Sequence, residues 1–256
     1  AAVVDYIHGN AIELDKDGNI MISSRHFSEI TKINRTTGNI IWRLGGPHNH
    51  FTFVNDPIGF SYQHDIRRLA NGNITLYDNG NYHSPPFSRA VEYKLDEVNK
   101  IATLVWQFRR TPDAYGFAMG NAQRLHNGNT LISWGATTPT FTEVTPSGTV
   151  ALEISLPQNI YTYRTFKDEA VLTLNAKIAL EGLYDTLSNK LLMNDTVTAY
   201  VRNAAAPYNI VDSARSNIDS VNFNGNFRFY NLQSGTYYVS LRHRNGIETW
   251  SRAGGE

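Results

Sequence analysis

Asp17-Gly18-Asn19, Asn71-Gly72-Asn73 and Asn127-Gly128-Asn129 spell one turn three times, and each leads into an apolar run: Ile20-Met21-Ile22, Ile74-Thr75-Leu76 and Thr130-Leu131-Ile132. Their glycines stand 54 (72 minus 18) and 56 (128 minus 72) residues apart. Asp-Gly or Asn-Gly between apolar runs signals a tight hairpin, here expected as a type I′ turn with positive φ at both central residues. Two further runs follow each hairpin, at Glu29 to Ile33 and Ile40 to Leu44, at Ala90 to Leu95 and Ala102 to Phe108, and at Thr142 to Val144 and Val150 to Leu156. Four antiparallel strands repeated at this period describe propeller blades better than a sandwich. Three blades do not close a ring, so the pattern implies a fragment, with further modules of the same polypeptide on both sides.

From about Asp168 the blade spacing is lost. Runs at Ala170 to Leu180, Thr196 to Arg202, Asn209 to Ser213, Gly225 to Tyr230 and Tyr237 to His243 suggest a small antiparallel β-sandwich. The expected organisation is a propeller fragment over 1–167 and a truncated accessory sandwich over 168–256. No long segment has a 3.6-residue period, so the fold class is all-β.

Lys plus Arg equals Asp plus Glu at 23 each, so no net field recruits nucleic acid or an anionic membrane. Cysteine is absent, which excludes disulfide frameworks, thiolate metal sites and cysteine nucleophiles. The longest apolar stretches, such as Ile40-Ile41-Trp42, are too short to span a bilayer.

A blade's first two strands run up and back to one rim, so residues before and after each turn glycine return to the same face. That places His8 with Ser24-Arg25-His26, His64-Asp65 with Asp78-Asn79, and Gly120-Asn121 with Trp134-Gly135. Equivalent positions of successive blades converge on the axis, so His8, His64, Asn121 and Arg25 are expected to share one funnel. Imidazoles, a guanidinium and amides suit a tetrahedral oxyanion: Arg offers a charged fork of donors, and His can donate, shuttle a proton or attack. Capping of inner strands is the competing role for the two histidines.

The segments Asp5-Tyr6-Ile7-His8-Gly9-Asn10, Ile22-Ser23-Ser24-Arg25-His26, Gln63-His64-Asp65-Ile66, Asp78-Asn79-Gly80 and Ser88-Arg89-Ala90-Val91-Glu92-Tyr93 resemble, in this order, those of the bacterial arylsulfotransferase family. Gly120-Asn121-Ala122-Gln123-Arg124-Leu125 and Tyr163-Arg164 resemble one branch of it. The likeness implies a six-bladed propeller, secreted, periplasmic or at the bacterial cell surface. It implies an enzyme that moves a sulfuryl group from a phenolic sulfate ester to a phenol acceptor through a sulfohistidine, with no cofactor or metal.

His8 and His64 fall on two of the family's histidine motifs and are the expected catalytic pair. Arg25, Asn79, His83, Asn121 and Arg164 are the expected substrate-binding set. The family's nucleophilic histidine has no match, because Ala118-Met119-Gly120-Asn121 stands at its inner strand, and its arginine beyond His64 is replaced by Asn81-Tyr82-His83-Ser84. Either His64 or His83 takes over as nucleophile, or this branch binds ligands without turnover as a scaffold. Transfer to water instead of a phenol is a third possibility.

The remaining motifs read as structure. Pro47-His48-Asn49-His50 lacks the carboxylates or cysteines of a metal site and reads as an exposed loop. Asp15 and Asp17 read as turn residues, Trp42 and Trp106 as packing between blades, and Pro85-Pro86-Phe87 as a long loop or a roof over the funnel. Tyr237-Tyr238 and Trp250 read as edge packing or a hinge in a spacer module, with an aromatic binding platform as the alternative.

Overall fold

The structure, a computed structural model, describes residues 5–157, 159–168, 171–230, 232 and 235–251. The chain divides into two compact units, Ala1–Lys167 and Asp168–Glu256. Among the described residues no helix is long and apolar enough to cross a membrane.

The first unit is a partial β-propeller of three blades. The first blade is a meander of β1 (Gly9–Leu14), β2 (Ile20–Ser24), β3 (Glu29–Ile33) and β4 (Ile40–Gly45). The second holds β5 (Thr52–Val54), β6 (His64–Arg68), β7 (Ile74–Asp78), β8 (Arg89–Asp96) and β9 (Ile101–Arg109), in the spatial order β5-β9-β8-β7-β6. The third is β10 (Asn121–Arg124), β11 (Thr130–Ser133), β12 (Phe141–Val144) and β13 (Val150–Ile154). Inner strand β6 lies against both β1 and β10.

β5 is absent from the sequence-based expectation. It is three residues long and pairs in parallel with β9, Thr52 opposite Ile101. Its neighbourhood is held by aromatic edges, Phe51 against Trp42 and Phe53 against Phe60 and Tyr93.

The hairpin turns also differ from expectation. In each, the N–H of Asp15, Leu69 or Leu125 donates to the carbonyl of Asn19, Asn73 or Asn129, and the glycine N–H donates back to the carbonyl of that first residue. Gly18, Gly72 and Gly128 carry positive φ (80°, 93° and 88°), whereas Asp17, Asn71 and Asn127 do not. This is a type I turn closed by a glycine bulge. Asp17, Asn71 and Asn127 act through Oδ1, which accepts the N–H two residues on at 3.0, 2.9 and 2.9 Å.

Alternation along the strands sends one face of each blade to its neighbour. Met21, Ile30, Trp42 and Leu44 of the first blade pack with Ile66, Leu76, Val91 and Tyr93 of the second. Tyr77 and Ala90 on the opposite face of the second blade pack with Ala122, Ile132 and Trp134 of the third. Ile12 and Leu14 on β1 remain 71% and 61% exposed. Charge joins the first two blades as well: Lys32 bridges Asp15, Asp17 and Glu97, and Arg68 bridges Asp15 and Glu97. Asp15, through Arg68, is therefore an anchor between blades as well as a turn residue, while Asp17 holds Lys32 of its own blade.

Gly120 shows how tightly the inner strands meet. Its φ is +97°, and a Cβ there would lie 2.5 Å from the buried Tyr77 ring and 2.8 Å from the Ser133 carbonyl. Gly120→Ala is expected to cost roughly 2–4 kcal/mol in urea denaturation, summing left-handed backbone strain and overpacking. Gly59→Ala carries only the strain, since nothing lies within 4 Å of a Cβ there, and should cost about 1–2 kcal/mol.

In the second unit, Leu172–Lys177 pairs with Asn224–Phe229, and a four-stranded sheet runs Ile210–Ile218, Asp195–Asn203, Tyr237–Arg242, Thr249–Trp250. Val197, Ala199, Ile218, Phe227 and Phe229 form a core drawn from both sheets. The expected start at Ala170 lies outside the described residues. Tyr238 and Trp250 meet at 6.1 Å, with Tyr208 edge-on to both.

Candidate active site

The ring centroids of His8 and His64 lie 6.5 Å apart. Their positions are not repeat-equivalent. His64 stands opposite Tyr77 and Asn121 opposite Ser133, each partner five residues past its turn glycine. The corresponding Ser23 stands opposite Ala11, and His8 precedes β1 altogether. Bulges between Gly9 and Ala11 and between His64 and Arg67 break the register that equal counting assumes. His8, Tyr62, Asp65 and Met119 all take positive φ (49°, 56°, 59° and 65°), so strained backbone gathers at this rim.

His64 is buried, and its Nδ1 lies 2.7 Å from Asn79 Oδ1 and 3.2 Å from the Tyr62 carbonyl. The orientation of Asn79 is fixed, because its Nδ2 donates to the carbonyls of Gly116 (2.7 Å) and Met119 (3.0 Å). Asn79 Oδ1 is thus an acceptor, and Nδ1 of His64 must carry the proton. Its Nε2 keeps a lone pair and bonds to no described residue. Burial, opposed by the Asn79 bond, lowers the His64 pKa to about 4, and the positive charge of Arg25 adds to the effect.

His8 Nδ1 donates to Asp5 Oδ2 at 2.6 Å, which leaves its Nε2 as a base. The same bond holds the Asp5 carboxyl below its ordinary value. His26 packs 5.2 Å from His8. A guanidinium can only donate, so Arg25 at 2.7 Å makes His26 Nε2 an acceptor and leaves Nδ1 to donate to the Asp5 carbonyl. Arg25 also donates to the Phe117 carbonyl at 2.8 Å and lies 4.3 Å over the Tyr62 ring.

Asp5, His8 and His26 bring one potential ligand atom each within 4.8 Å of one another. Their protons are already assigned to hydrogen bonds, and the Arg25 cation occupies the free nitrogen of His26. A metal ion would meet charge repulsion there.

Among the other expected substrate-binding residues, Asn79 serves His64 directly. Asn121 is turned away: its Nδ2 donates to the Thr165 carbonyl and its Oδ1 accepts the Thr165 N–H, both at 2.8 Å. Arg164 pairs with Asp65 at 3.3 Å and donates to the Asn10 carbonyl. His83 is buried against Phe87, its Nδ1 donating to the Phe87 carbonyl at 3.1 Å and its Nε2 facing Asp78 at 3.4 Å. His26 stands beside His8 as the strand-end count places it; Asp5 and Tyr62 are absent from the expected set. Asp5 had a signal, an acid three residues before His8; Tyr62 had none.

The family model described as arylsulfotransferase (ASST) matches residues 1–181. Among solved structures, a protein of unknown function from Bacteroides caccae is similar at 15% identity, covering 93% of this chain and 72% of its own, with a TM-score of 0.42. PQQ-bound aldose sugar dehydrogenase from Streptomyces coelicolor is similar at 15% identity over 58% of this chain and 47% of its own, TM-score 0.38. Virginiamycin B lyase from Staphylococcus aureus follows at 11% over 100% and 73%, TM-score 0.40. No curated protein matches.

Proposed function

Since the chain belongs to the arylsulfotransferase family, we propose that it transfers a sulfuryl group from a phenolic sulfate ester to a phenol, with His64 as the nucleophile. One observation carries the assignment: Asn79 fixes His64 as the neutral Nδ1–H tautomer, so Nε2 holds an unprotonated lone pair in a buried site. Nε2 attacks sulfur, the ester S–O bond breaks, and the phenolate departs with its electron pair. The acceptor phenol oxygen then attacks the sulfohistidine sulfur, the S–Nε2 bond breaks and returns its electron pair to His64, and His8, oriented by Asp5 as a carboxylate orients a triad histidine, takes the phenol proton. Arg25 supplies positive charge beside the transferring oxygens. Export to the periplasm or cell surface belongs to the same reading.

The tautomer is directly testable. Imidazole nitrogen NMR on labelled protein is expected to show His64 as Nδ1–H and neutral down to about pH 4. The sign follows from linkage: the unfolded state takes a proton near pH 6.5 and the folded one near 4, so this group's contribution to stability is lost as pH falls between those values. Titration of His64 near 6.5, or an Nε2–H signal, would contradict the assignment.

A further inference from the structure

His64 sits between two residues that a single amide holds. Asn10 Nδ2 donates to the Gln63 carbonyl at 2.7 Å, and Asn10 Oδ1 accepts the Asp65 N–H at 3.3 Å. Asp65 takes a φ of +59° inside the bulge between His64 and Arg67, so the backbone that aims the His64 ring is in a conformation that surrounding contacts must hold. The Asp65 carboxylate is fully buried. Its Oδ1 faces Arg67 at 2.6 Å and Arg164 at 3.3 Å, and its Oδ2 bonds to no described residue. Burial raises the Asp65 pKa, and the charges of Arg67 and Arg164 oppose that rise.

Arg164 reaches this clamp from the third blade. The Gly120 N–H donates to the Tyr163 carbonyl at 2.9 Å, Asn121 bonds both backbone groups of Thr165 at 2.8 Å, and Gln123 bonds both of Lys167 at 2.8 and 3.0 Å. Between these anchors the Arg164 side chain crosses to the Asp65 carboxylate and to the carbonyl of Asn10, the residue whose amide holds the two neighbours of His64. One side chain thereby joins the inner strands of all three blades: its backbone is pinned to β10, its charge to β6 and its N–H to β1. Nη1 faces Asp65, Nη2 serves Asn10 and Nε is buried, so the guanidinium is committed to protein. We propose that Arg164 is a positioning residue for His64 and not a substrate ligand: it holds the Gln63–Asp65 backbone in the geometry that points His64 Nδ1 at Asn79. The kinetic side of this inference rests on His64 as the nucleophile, and the spectroscopic side on the geometry alone.

Arg164→Met in the whole chain tests it, because the anchors at Gly120, Asn121 and Gln123 remain and only the links to Asp65 and Asn10 go. Imidazole nitrogen NMR is expected to show His64 change from a single Nδ1–H form to a mixture with Nε2–H. With 4-nitrophenyl sulfate as donor and phenol as acceptor, kcat should fall roughly 10- to 100-fold, the scale of a displacement near 1 Å at a reacting group, while KM for the donor changes by less than about twofold. Asp65→Asn should move the His64 signals in the same direction, and the double variant should be no worse than the poorer single one. Arg164→Gln, which also removes the charge facing Asp65, gives the same comparison should the methionine variant misfold. An unchanged His64 spectrum, or a raised KM with kcat intact, overturns the proposal, the second result making Arg164 a substrate ligand. A changed His64 spectrum in a protein without sulfuryl transfer leaves the clamp standing and removes the nucleophile reading above it.

Discussion

His64→Gln is expected to lower sulfuryl transfer from an aryl sulfate to a phenol by roughly 10⁴-fold or more, the scale seen when an attacking group is removed outright. Glutamine keeps an N–H donor for Asn79 Oδ1 but has no nucleophilic nitrogen, so the melting temperature should shift little. A sulfuryl adduct on the peptide bearing His64 should appear by mass spectrometry when donor is supplied alone, and disappear in the variant. His83→Gln is the matched comparison. With Nδ1 bound to the Phe87 carbonyl and Nε2 buried against Asp78, His83 has no nitrogen to offer sulfur, and its loss should change the rate by less than about tenfold. Turnover that survives at His64→Gln and dies at His83→Gln would reverse the assignment of nucleophile. Product formed without an acceptor would turn the transferase into a hydrolase.

The blades were legible because their signals are local. Each Asn or Asp before a turn glycine bonds an amide two residues on, and each strand alternates between two packed faces; both leave marks within a few residues of sequence. The bulges leave weaker marks. Nothing in Gly9-Asn10-Ala11 or His64-Asp65-Ile66 announces an unpaired residue, so similar counts back from the glycines (18 minus 8 and 72 minus 64) were read as one place where the structure has two. Asn79 was legible as a polar residue at the rim, yet not as the partner of His64. That role depends on the carbonyls of Gly116 and Met119, 37 and 40 residues away, which fix its amide. The commitment of the Asn121 amide was hidden for a similar reason, because residues near Thr165 return to pair with it. β5 escaped because a three-residue parallel strand, 49 residues from its partner (101 minus 52), has no period to show.

Arg89→Met should be the most destabilising single change in the second blade. The Arg89 guanidinium bonds Asp56 through Nη2 at 2.9 and 3.1 Å, Asp78 through Nε at 2.9 Å, Gln107 through Nη1 at 2.9 Å and the Gly59 carbonyl at 2.5 Å, and Tyr93 donates to the same Asp56. Asp56 and Asp78 are 2% and 0% exposed, so methionine would leave two buried carboxylates without a cation. Removing one partner of such a group costs about 3–5 kcal/mol, which for a unit of this size is on the order of 10 °C in melting temperature. Burial already raises the Asp78 pKa against the opposing charge of Arg89. Without that charge the folded-state pKa rises further above the unfolded value. The folded variant then binds more protons than the unfolded chain, and its deficit against wild type should narrow as pH falls from 7 toward 5. Adding Asp56→Asn should recover part of the loss, since one stranded charge is removed. Asp78 also accepts the Ser61 and Gly80 N–H groups at 3.0 Å on either side of Asn79 and His64. Loosening this network therefore loosens the amide that sets the His64 tautomer, and activity should fall together with stability. A melting temperature within about 2 °C of wild type, with transfer lost, would instead make Arg89 a substrate ligand.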